Sequence, residues 1–489
     1  MAKGEKGSSV KWYFAFALIT VVGLVAADLW NPFPDLWEWT NRSKPLSQPD
    51  VVWQQRLGSG TPQSVTIAGD AVVVRHRTAV EARNLSSGVR LWRRKADWAV
   101  VAGGPQDAVV AMGKILVKGY EVIDPQTGAV RRRDDSAIAV WSFQNALLDA
   151  RCFESNACTL TAWDPRGSTP RWTVDLPGIT TTLFADNPEL LGTRRLTTER
   201  VAPDAGGPEQ MPSLIGFPVD GRVYVVNTAT GRLVRESKPD RQERIVVVGG
   251  RVLHIRSIAE DGTCYFTVQG RDPANNQTAW RRTGLNLRTA DRAGCAQRQN
   301  PQGSRNVIIG TAPDRRESVI DAHDGRQLWT GGPGDELRAV NDRYALVRTA
   351  DGKNIKSYEL SVAAPRWARQ IRPEGQVALA RHVGLVLEEK PDRIVAVDLR
   401  TGRELVKLHT SAKVLAVGPN GMIIGDGRDI GYARFDGSAG APGDRRPGES
   451  GPSAGPGPGE EPGRGPDTGP SCAGPKREQC VPPVNDKDG

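Results

Sequence analysis

The chain has 489 residues, is 38% hydrophobic and carries a formal net charge of +9. Length and hydrophobic fraction exclude a wholly disordered chain, because enough apolar surface is present to bury a large core. The positive charge does not indicate a nucleic-acid partner. The basic clusters, such as residues 93–95 and 131–133, are short and are not interleaved with aromatic residues.

An apolar segment near the N-terminus is the first predicted element. Residues 1–11 are polar and contain lysines, and residues 12–30 are mostly apolar with aromatic residues at both ends. This length just reaches that of a membrane-spanning helix, and the charge bias keeps the N-terminus in the cytoplasm. We expect a cytoplasmic segment 1–11, a transmembrane helix 12–30, a linker 31–50 and an extracellular remainder.

A cleaved signal peptide is the alternative interpretation of the same segment. The small residues Val25, Ala26 and Ala27 have the spacing of a cleavage site. Both interpretations export the rest of the chain, and the first predicts a single-pass protein of the cell membrane.

One motif recurs about every 40 residues, the spacing of a propeller blade. It begins with an acidic or amide residue at Asn84, Asp124, Asp164, Asn227, Asp272, Asp321, Glu359, Asp398 and Asp436. Four positions later most copies have a glycine, at Gly88, Gly128, Gly231, Gly325, Gly402 and Gly440. Eight positions after the acidic or amide residue, several copies have a tryptophan, at Trp92, Trp172, Trp280, Trp329 and Trp367. The gaps before Asn227 and Asp321 are longer than the others.

The chemistry of the motif predicts a strand, a tight turn and a second strand. The Asp or Asn side chain accepts backbone N–H bonds in the turn, and the glycine supplies a positive φ. The tryptophan then packs against the neighbouring blade. Short β runs before each motif complete four-stranded blades, so we expect an all-β propeller over residues 51–438.

The blade count follows from how the repeats close. Residues 51–57, with Trp53, resemble the strand that the last copy lacks, so we expect the N-terminal strand to complete the last blade and leave no free sheet edge. Eight complete sets and one split set give nine blades. Since propellers usually have four to eight blades, a count of eight with one degenerate set remains the alternative.

The motif resembles the PQQ-like (quinoprotein-type) repeat, most closely at Asp124–Gly128, Asp321–Trp329 and Asp398–Gly402. One branch of that family is catalytic, and the resemblance to it would imply pyrroloquinoline quinone and calcium on the ring axis with an Asp base. The other branch is non-catalytic and includes the lipoprotein propeller subunit of the outer-membrane barrel-assembly machinery. The chain is more similar to the second branch, because it has no adjacent cysteine pair and no position that matches the calcium ligands or the base.

The remaining features are cysteines, insertions and a tail. The cysteines fall into the pairs Cys152 and Cys158, Cys264 and Cys295, and Cys472 and Cys480, which predict disulfides or, alternatively, free buried thiols. Two segments interrupt the repeats. We expect 191–220 to be a binding loop or, alternatively, a disordered insertion, and 285–305 to be an ordered loop that Cys295 could attach to Cys264. Residues 439–489 are rich in Gly and Pro and predict a disordered tail.

No catalytic constellation is visible in the sequence. The five histidines are dispersed, and no nucleophile elbow, phosphate loop or zinc-binding helix occurs. We expect a non-enzymatic binding or scaffold propeller, tethered to the cell membrane through residues 12–30, that engages a protein or an envelope polymer and needs no cofactor. A quinone-dependent dehydrogenase with a diverged site for quinone and calcium is the alternative, and a hydrolase with two inward carboxylates is a third hypothesis.

Overall fold

The computed structural model describes residues 46–435, except for 154–156, 179–191, 220, 241, 262, 288–294, 296–299, 363 and 382. The described residues form 34 strands and no helix. No helix long and apolar enough to span a membrane occurs among them. The predicted membrane helix 12–30 and the predicted disordered tail 439–489 lie outside this part of the chain.

The strands form nine sheets, which are numbered here as blades 1–9. Blades 1–3 are β2–β5 (Ser64–Ala68, Ala71–Arg75, Val80–Asn84, Arg90–Arg94), β6–β9 (Trp98–Ala102, Val109–Gly113, Tyr120–Ile123, Val130–Asp134) and β10–β13 (Ala139–Ser142, Leu147–Cys152, Cys158–Trp163, Pro170–Leu176). Blades 4–6 are β14–β16 (Leu214–Val219, Arg222–Asn227, Arg232–Ser237), β17–β20 (Glu243–Val248, Arg251–Glu260, Thr263–Arg271, Thr278–Thr283) and β21–β23 (Val307–Thr311, Glu317–Asp321, Gln327–Thr330). Blades 7 and 8 are β24–β27 (Glu336–Val340, Tyr344–Arg348, Asn354–Glu359, Ala364–Gln370) and β28–β31 (Gln376–Ala380, Val383–Glu388, Arg393–Asp398, Glu404–Leu408). Blade 9 combines β32 (Lys413–Gly418), β33 (Gly421–Asp426) and β34 (Asp429–Arg434) with β1 (Val51–Arg56).

The N-terminal strand closes the ring. Strand β1 pairs antiparallel with β34, and Val51 lies opposite Ala433 while Arg56 lies opposite Asp429. This confirms that the segment around Trp53 completes the last blade. Since every repeat forms its own sheet, the propeller has nine blades and the alternative count of eight is wrong.

Nine apolar clusters hold the blades together, one for each pair of neighbours, including blades 9 and 1. In most blades the second strand is largely buried, and all four residues of Ala71–Val74 in β3 are buried. The fourth strands are charged and mostly exposed, as in β9 with its run of arginines. The short basic clusters are therefore solvated outer strands. Leu46, at the end of the predicted linker, is fully buried between blades 8 and 9.

The first strands of neighbouring blades contact one another, as do β2 and β32, β6 and β10, and β24 and β28. These strands therefore surround the centre of the ring. Within each four-stranded blade, antiparallel order places the second-to-third strand connection at one end and the third-to-fourth connection at the other. The chain departs from the repeat at two places, which are the end that holds the second-to-third strand connections and the centre of the ring.

Candidate binding site at the centre of the ring

The repeat residues build turns and contacts between blades. The side-chain oxygen of Asp124 accepts the N–H groups of Gln126 and Thr127 at 3.0 and 3.1 Å. Gly128 has a φ of 70° and donates its N–H to the Asp124 carbonyl at 2.9 Å. Burial alone would raise the pKa of Asp124, but the bonds from Arg131 and from these two N–H groups outweigh it and lower the pKa to about 2.

The tryptophans dock on the turn of the next blade. The Trp92 indole N–H donates to the Pro125 carbonyl at 2.9 Å, and its ring lies against Gly128. The same pairing of an indole with a glycine on the next blade recurs for Trp53 and Gly88, Trp172 and Gly231, Trp280 and Gly325, and Trp367 and Gly402. Trp329 is also buried but packs against Tyr358.

A cavity lies at the centre of the ring, and the motif residues that match the repeat best do not line it. These residues are Asp124, Gly128, Asp164, Trp172, Asp321, Gly325, Trp329, Asp398 and Gly402. They hold blades together, and the centre is lined by other parts of the chain.

Two disulfides fall where the sequence pairs its cysteines. Cys152 is bonded to Cys158 across the β11–β12 connection of blade 3. Cys264 in blade 5 is bonded to Cys295, which attaches the second insertion to β19. Cys472 and Cys480 lie outside the described residues.

The first insertion crosses the ring. Its described part, residues 192–213, is named the strap. The strap begins against blade 6, where the Thr193 hydroxyl donates to the Ser304 carbonyl at 2.9 Å. The backbone of Arg194 also forms an isolated parallel β-bridge with Gln302. It ends against blade 3, where the Met211 N–H donates to the Asn145 side chain at 2.7 Å. The alternative of a disordered insertion is therefore wrong for these residues.

Between its ends, the strap pairs with the first strand of blade 9. Val201 forms a parallel backbone β-bridge with Val414, and the Ala202 N–H donates to the Val414 carbonyl at 2.9 Å. The guanidinium of Arg200 donates to the carbonyls of Glu388 and Thr410, both at 2.8 Å. These bonds anchor the middle of the strap on blades 8 and 9.

A cavity of about 820 Å³ remains between the strap and the first strands of blades 1–3. Its volume falls within the range typical of ligand-binding clefts. The wall combines strap residues with segments of β2, β6 and β10, which contribute Ser64 and Thr66, residues 99–101, and Trp141 and Ser142. Polar side chains and backbone therefore face a space that the described residues do not fill.

Three arginines line the cavity, and two of them have no side-chain partner among the described residues. Arg195 is paired with Glu209 on the strap. The Nε atom of Arg75 is buried and unbonded within the described part of the chain, and Arg194 is exposed to the cavity. The indole N–H of Trp141, a residue only 3% exposed, also lacks a partner there.

The three arginines of the cavity outnumber its two acidic side chains, Asp204 and Glu209. Burial raises the pKa of Asp204, and the positive charges of Arg75 and Arg195 oppose this shift without cancelling it. Glu209 is engaged by Arg195. The cavity therefore presents the guanidinium groups of Arg75 and Arg194, which are groups that bind anions.

The described residues do not fit a calcium-bound quinone. Among them, no three His, Cys, Asp or Glu side chains converge as ligands for a metal ion. The family resemblance would place quinone and calcium on the ring axis, whereas here the strap crosses the ring centre.

Sequence reasoning missed the residues of the cavity. Arg75, Trp141 and Arg194 lie outside the repeat register and come from two blades and an insertion. The available signal was the insertion 191–220, which the sequence marks as a candidate binding loop.

Comparison with known proteins gives fold likeness alone. No family model and no curated protein matches the chain. Similar solved structures include BamB from Moraxella catarrhalis, with 13% identity over 80% of this chain and 98% of that chain and a TM-score of 0.34. They also include the quinohemoprotein alcohol dehydrogenase ADHIIG from Pseudomonas putida HK5, with 11% identity over 80% and 76% of the two chains and a TM-score of 0.35. Saccharomyces cerevisiae Sqt1 is similar at 7% identity over 78% and 98%, with a TM-score of 0.35. These likenesses are too remote to transfer a function.

Proposed function

We propose that this chain is a membrane-tethered, extracytoplasmic binding propeller that holds an acidic segment of a partner protein in its central cavity. The observation that carries the proposal is the pair of arginines, Arg75 and Arg194, that line the cavity without a partner among the described residues. A guanidinium group favours a carboxylate, which it binds through two parallel hydrogen bonds.

An extended polypeptide suits the walls of the cavity. The strap already shows how a segment of chain pairs with a first strand, through the bonds between Ala202 and Val414. The first strands β2, β6 and β10 line the cavity on its other side. A partner segment can therefore add backbone hydrogen bonds to these strands while its carboxylates reach the arginines.

The location of the propeller rests on separate support. The apolar segment 12–30 has the length and flanks of a membrane anchor, and the charge before it favours a cytoplasmic N-terminus. Disulfides between Cys152 and Cys158 and between Cys264 and Cys295 suit an oxidising compartment. Together these features support an extracytoplasmic ring held near the membrane.

Calorimetric titration of the full-length protein in detergent with hexaglutamate and hexalysine peptides tests the binding proposal. We expect saturable binding of hexaglutamate alone. The double variant Arg75→Gln/Arg194→Gln should weaken it by about 100-fold, since a charge-assisted hydrogen bond contributes about 1.5–3 kcal/mol. The matched control Arg90→Gln/Arg232→Gln removes the same charge from exposed outer strands and should leave the affinity unchanged.

Equal weakening in both double variants would show that the net charge, and not the cavity, attracts the peptide. Binding of polygalacturonate at the same arginines, without binding of hexaglutamate, would identify an acidic envelope polymer as the ligand. Absence of binding to all three probes would refute an anion site.

A further inference from the structure

The loop between β7 and β8 exposes three consecutive apolar residues at the tip of blade 2. Ile115 is 58%, Leu116 96% and Val117 52% exposed. Among the exposed large apolar side chains of the described residues, Leu116 is the most accessible. Leu116 also adopts a φ of 63°, a left-handed conformation that any residue with a Cβ resists. The chain thus keeps an apolar residue where neither core packing nor backbone geometry favours one.

Two lysines flank this tip, and two of the nearby carboxylates are engaged by other groups. Lys114 and Lys118 border the three apolar residues in the sequence. Asp97 accepts the Ile115 N–H at 3.1 Å, which holds the base of the loop. Glu121 is paired with both Arg94 and Arg133. The tip therefore presents three exposed apolar side chains between two lysines.

The neighbouring blades add to this surface at the same end. The connection between β11 and β12 in blade 3 carries Phe153, which is 61% exposed and follows a disulfide-bonded cysteine. The connection between β3 and β4 in blade 1 carries the exposed Arg77. Each of these loops joins the second and third strands of its blade, so antiparallel order places all three at one end. The loop patch is defined as Arg77, Lys114–Lys118 and Phe153.

We propose that the loop patch is a membrane-contact surface for an anionic lipid bilayer. Each of the three apolar side chains at the tip is more than half exposed, so all three can enter the headgroup layer together. The apolar side chains would insert to the depth of the acyl boundary, while the lysines extend along the interface towards anionic headgroups. This contact is independent of the anion cavity and would orient the loop end of blades 1–3 towards the bilayer.

Site-specific photocrosslinking in vesicles tests the proposal with the full-length protein. Benzoyl-phenylalanine replaces Ile115 in one variant and Val89 in the control. Val89 is 61% exposed but lies in the third-to-fourth strand connection of blade 1, at the opposite end. Both variants are reconstituted in vesicles of phosphatidylcholine alone or with one quarter phosphatidylglycerol, and the adducts are identified by mass spectrometry.

We expect lipid adducts at position 115 to exceed those at position 89 at least fivefold in the anionic vesicles. The excess should fall in phosphatidylcholine vesicles and in the Lys114→Glu/Lys118→Glu background. Equal lipid adducts at both positions, or adducts of position 115 with protein alone, would overturn the proposal. Flotation of the protein with the vesicles separately reports the predicted N-terminal tether, so loss of the tether and loss of the loop contact give different results.

Discussion

The ring of Trp92 lies so close to Gly128 of the next blade that an ideal Cβ on this glycine would be 2.8 Å from the indole Cγ. A glycine is therefore required at position 128 for two separate reasons. It adopts a φ of 70° in its turn, and it leaves room for the tryptophan that joins blades 1 and 2. The repeat preserves space between blades as much as it specifies a turn within one.

Substitution of Gly128 by alanine, compared with a control glycine, separates the cost of the positive φ from the cost of the contact with the tryptophan. The variant Gly128→Ala should lower the free energy of unfolding by about 2–4 kcal/mol, from backbone strain together with overlap at the blade interface. Gly352→Ala is the matched control, because Gly352 has a φ of 69° and an ideal Cβ on it would have no neighbouring atom within 4 Å. The control should lose only about 1–2 kcal/mol. Urea unfolding followed by tryptophan fluorescence measures both, and equal losses would contradict a role for the tryptophan contact.

Blades 2 and 3 meet through a buried polar network in place of the tryptophan contact. Arg132 occupies the tryptophan position of its repeat and lies 3.9 Å from the centroid of the Trp163 ring. It donates to the Tyr120 hydroxyl at 2.9 Å, and that hydroxyl donates to Asp149 at 2.6 Å. Asp149 is fully buried, and its burial raises its pKa even though Tyr120 and Trp163 bond to it.

This network predicts a specific pH dependence of stability. Because folded Asp149 holds its proton more tightly than the unfolded chain does, its contribution is complete below the ordinary pKa of about 3.9. That contribution is lost as the pH rises through the raised pKa. The stability of Asp149→Asn relative to wild type should therefore increase with pH across this window. Urea unfolding from pH 4 to 8 measures the difference, with the half-exposed Asp164→Asn as the control. A difference that is constant with pH would contradict the raised pKa.

The extent to which the sequence predicts the molecule can be judged from particular residues. The spacing from Asp321 to Gly325 and Trp329 predicts the blade, and Trp53 predicts the closing strand. Both predictions rest on a local pattern that the repeat makes recognisable. The longer gaps before Asn227 and Asp321 coincide with the two three-stranded sheets, where the insertions interrupt the repeat. The cavity could not be predicted from the sequence, because Arg75 and Arg194 are brought to the same space only by closure of the ring and by the path of the strap.

The Arg200 side chain predicts how firmly the strap is held. Replacement by methionine, Arg200→Met, removes the bonds to the carbonyls of Glu388 and Thr410. Each charge-assisted bond contributes about 1.5–3 kcal/mol, so opening of the strap should become at least about tenfold more frequent. Hydrogen exchange of residues 200–206, including the Ala202 amide, measures this opening.

The control for the strap is Arg222→Met, which breaks an exposed ion pair with Glu236 on blade 4. Exposed pairs contribute at most about 1 kcal/mol, so exchange in the strap should not change. Unaltered exchange in Arg200→Met would indicate that the β32 pairing alone anchors the strap. Faster exchange in both variants would point to a general loss of stability.

The two disulfides differ in the length of chain that each encloses, and this difference predicts their relative contributions. Cys264 and Cys295 are 31 residues apart, whereas Cys152 and Cys158 are 6 apart. In the chain-entropy model, loss of the longer link costs about 3–4 kcal/mol and loss of the shorter link about 2 kcal/mol. Urea unfolding of Cys264→Ser/Cys295→Ser and of Cys152→Ser/Cys158→Ser compares the two losses directly. A larger loss for the shorter loop would show that local packing, rather than the enclosed chain length, determines what these links contribute.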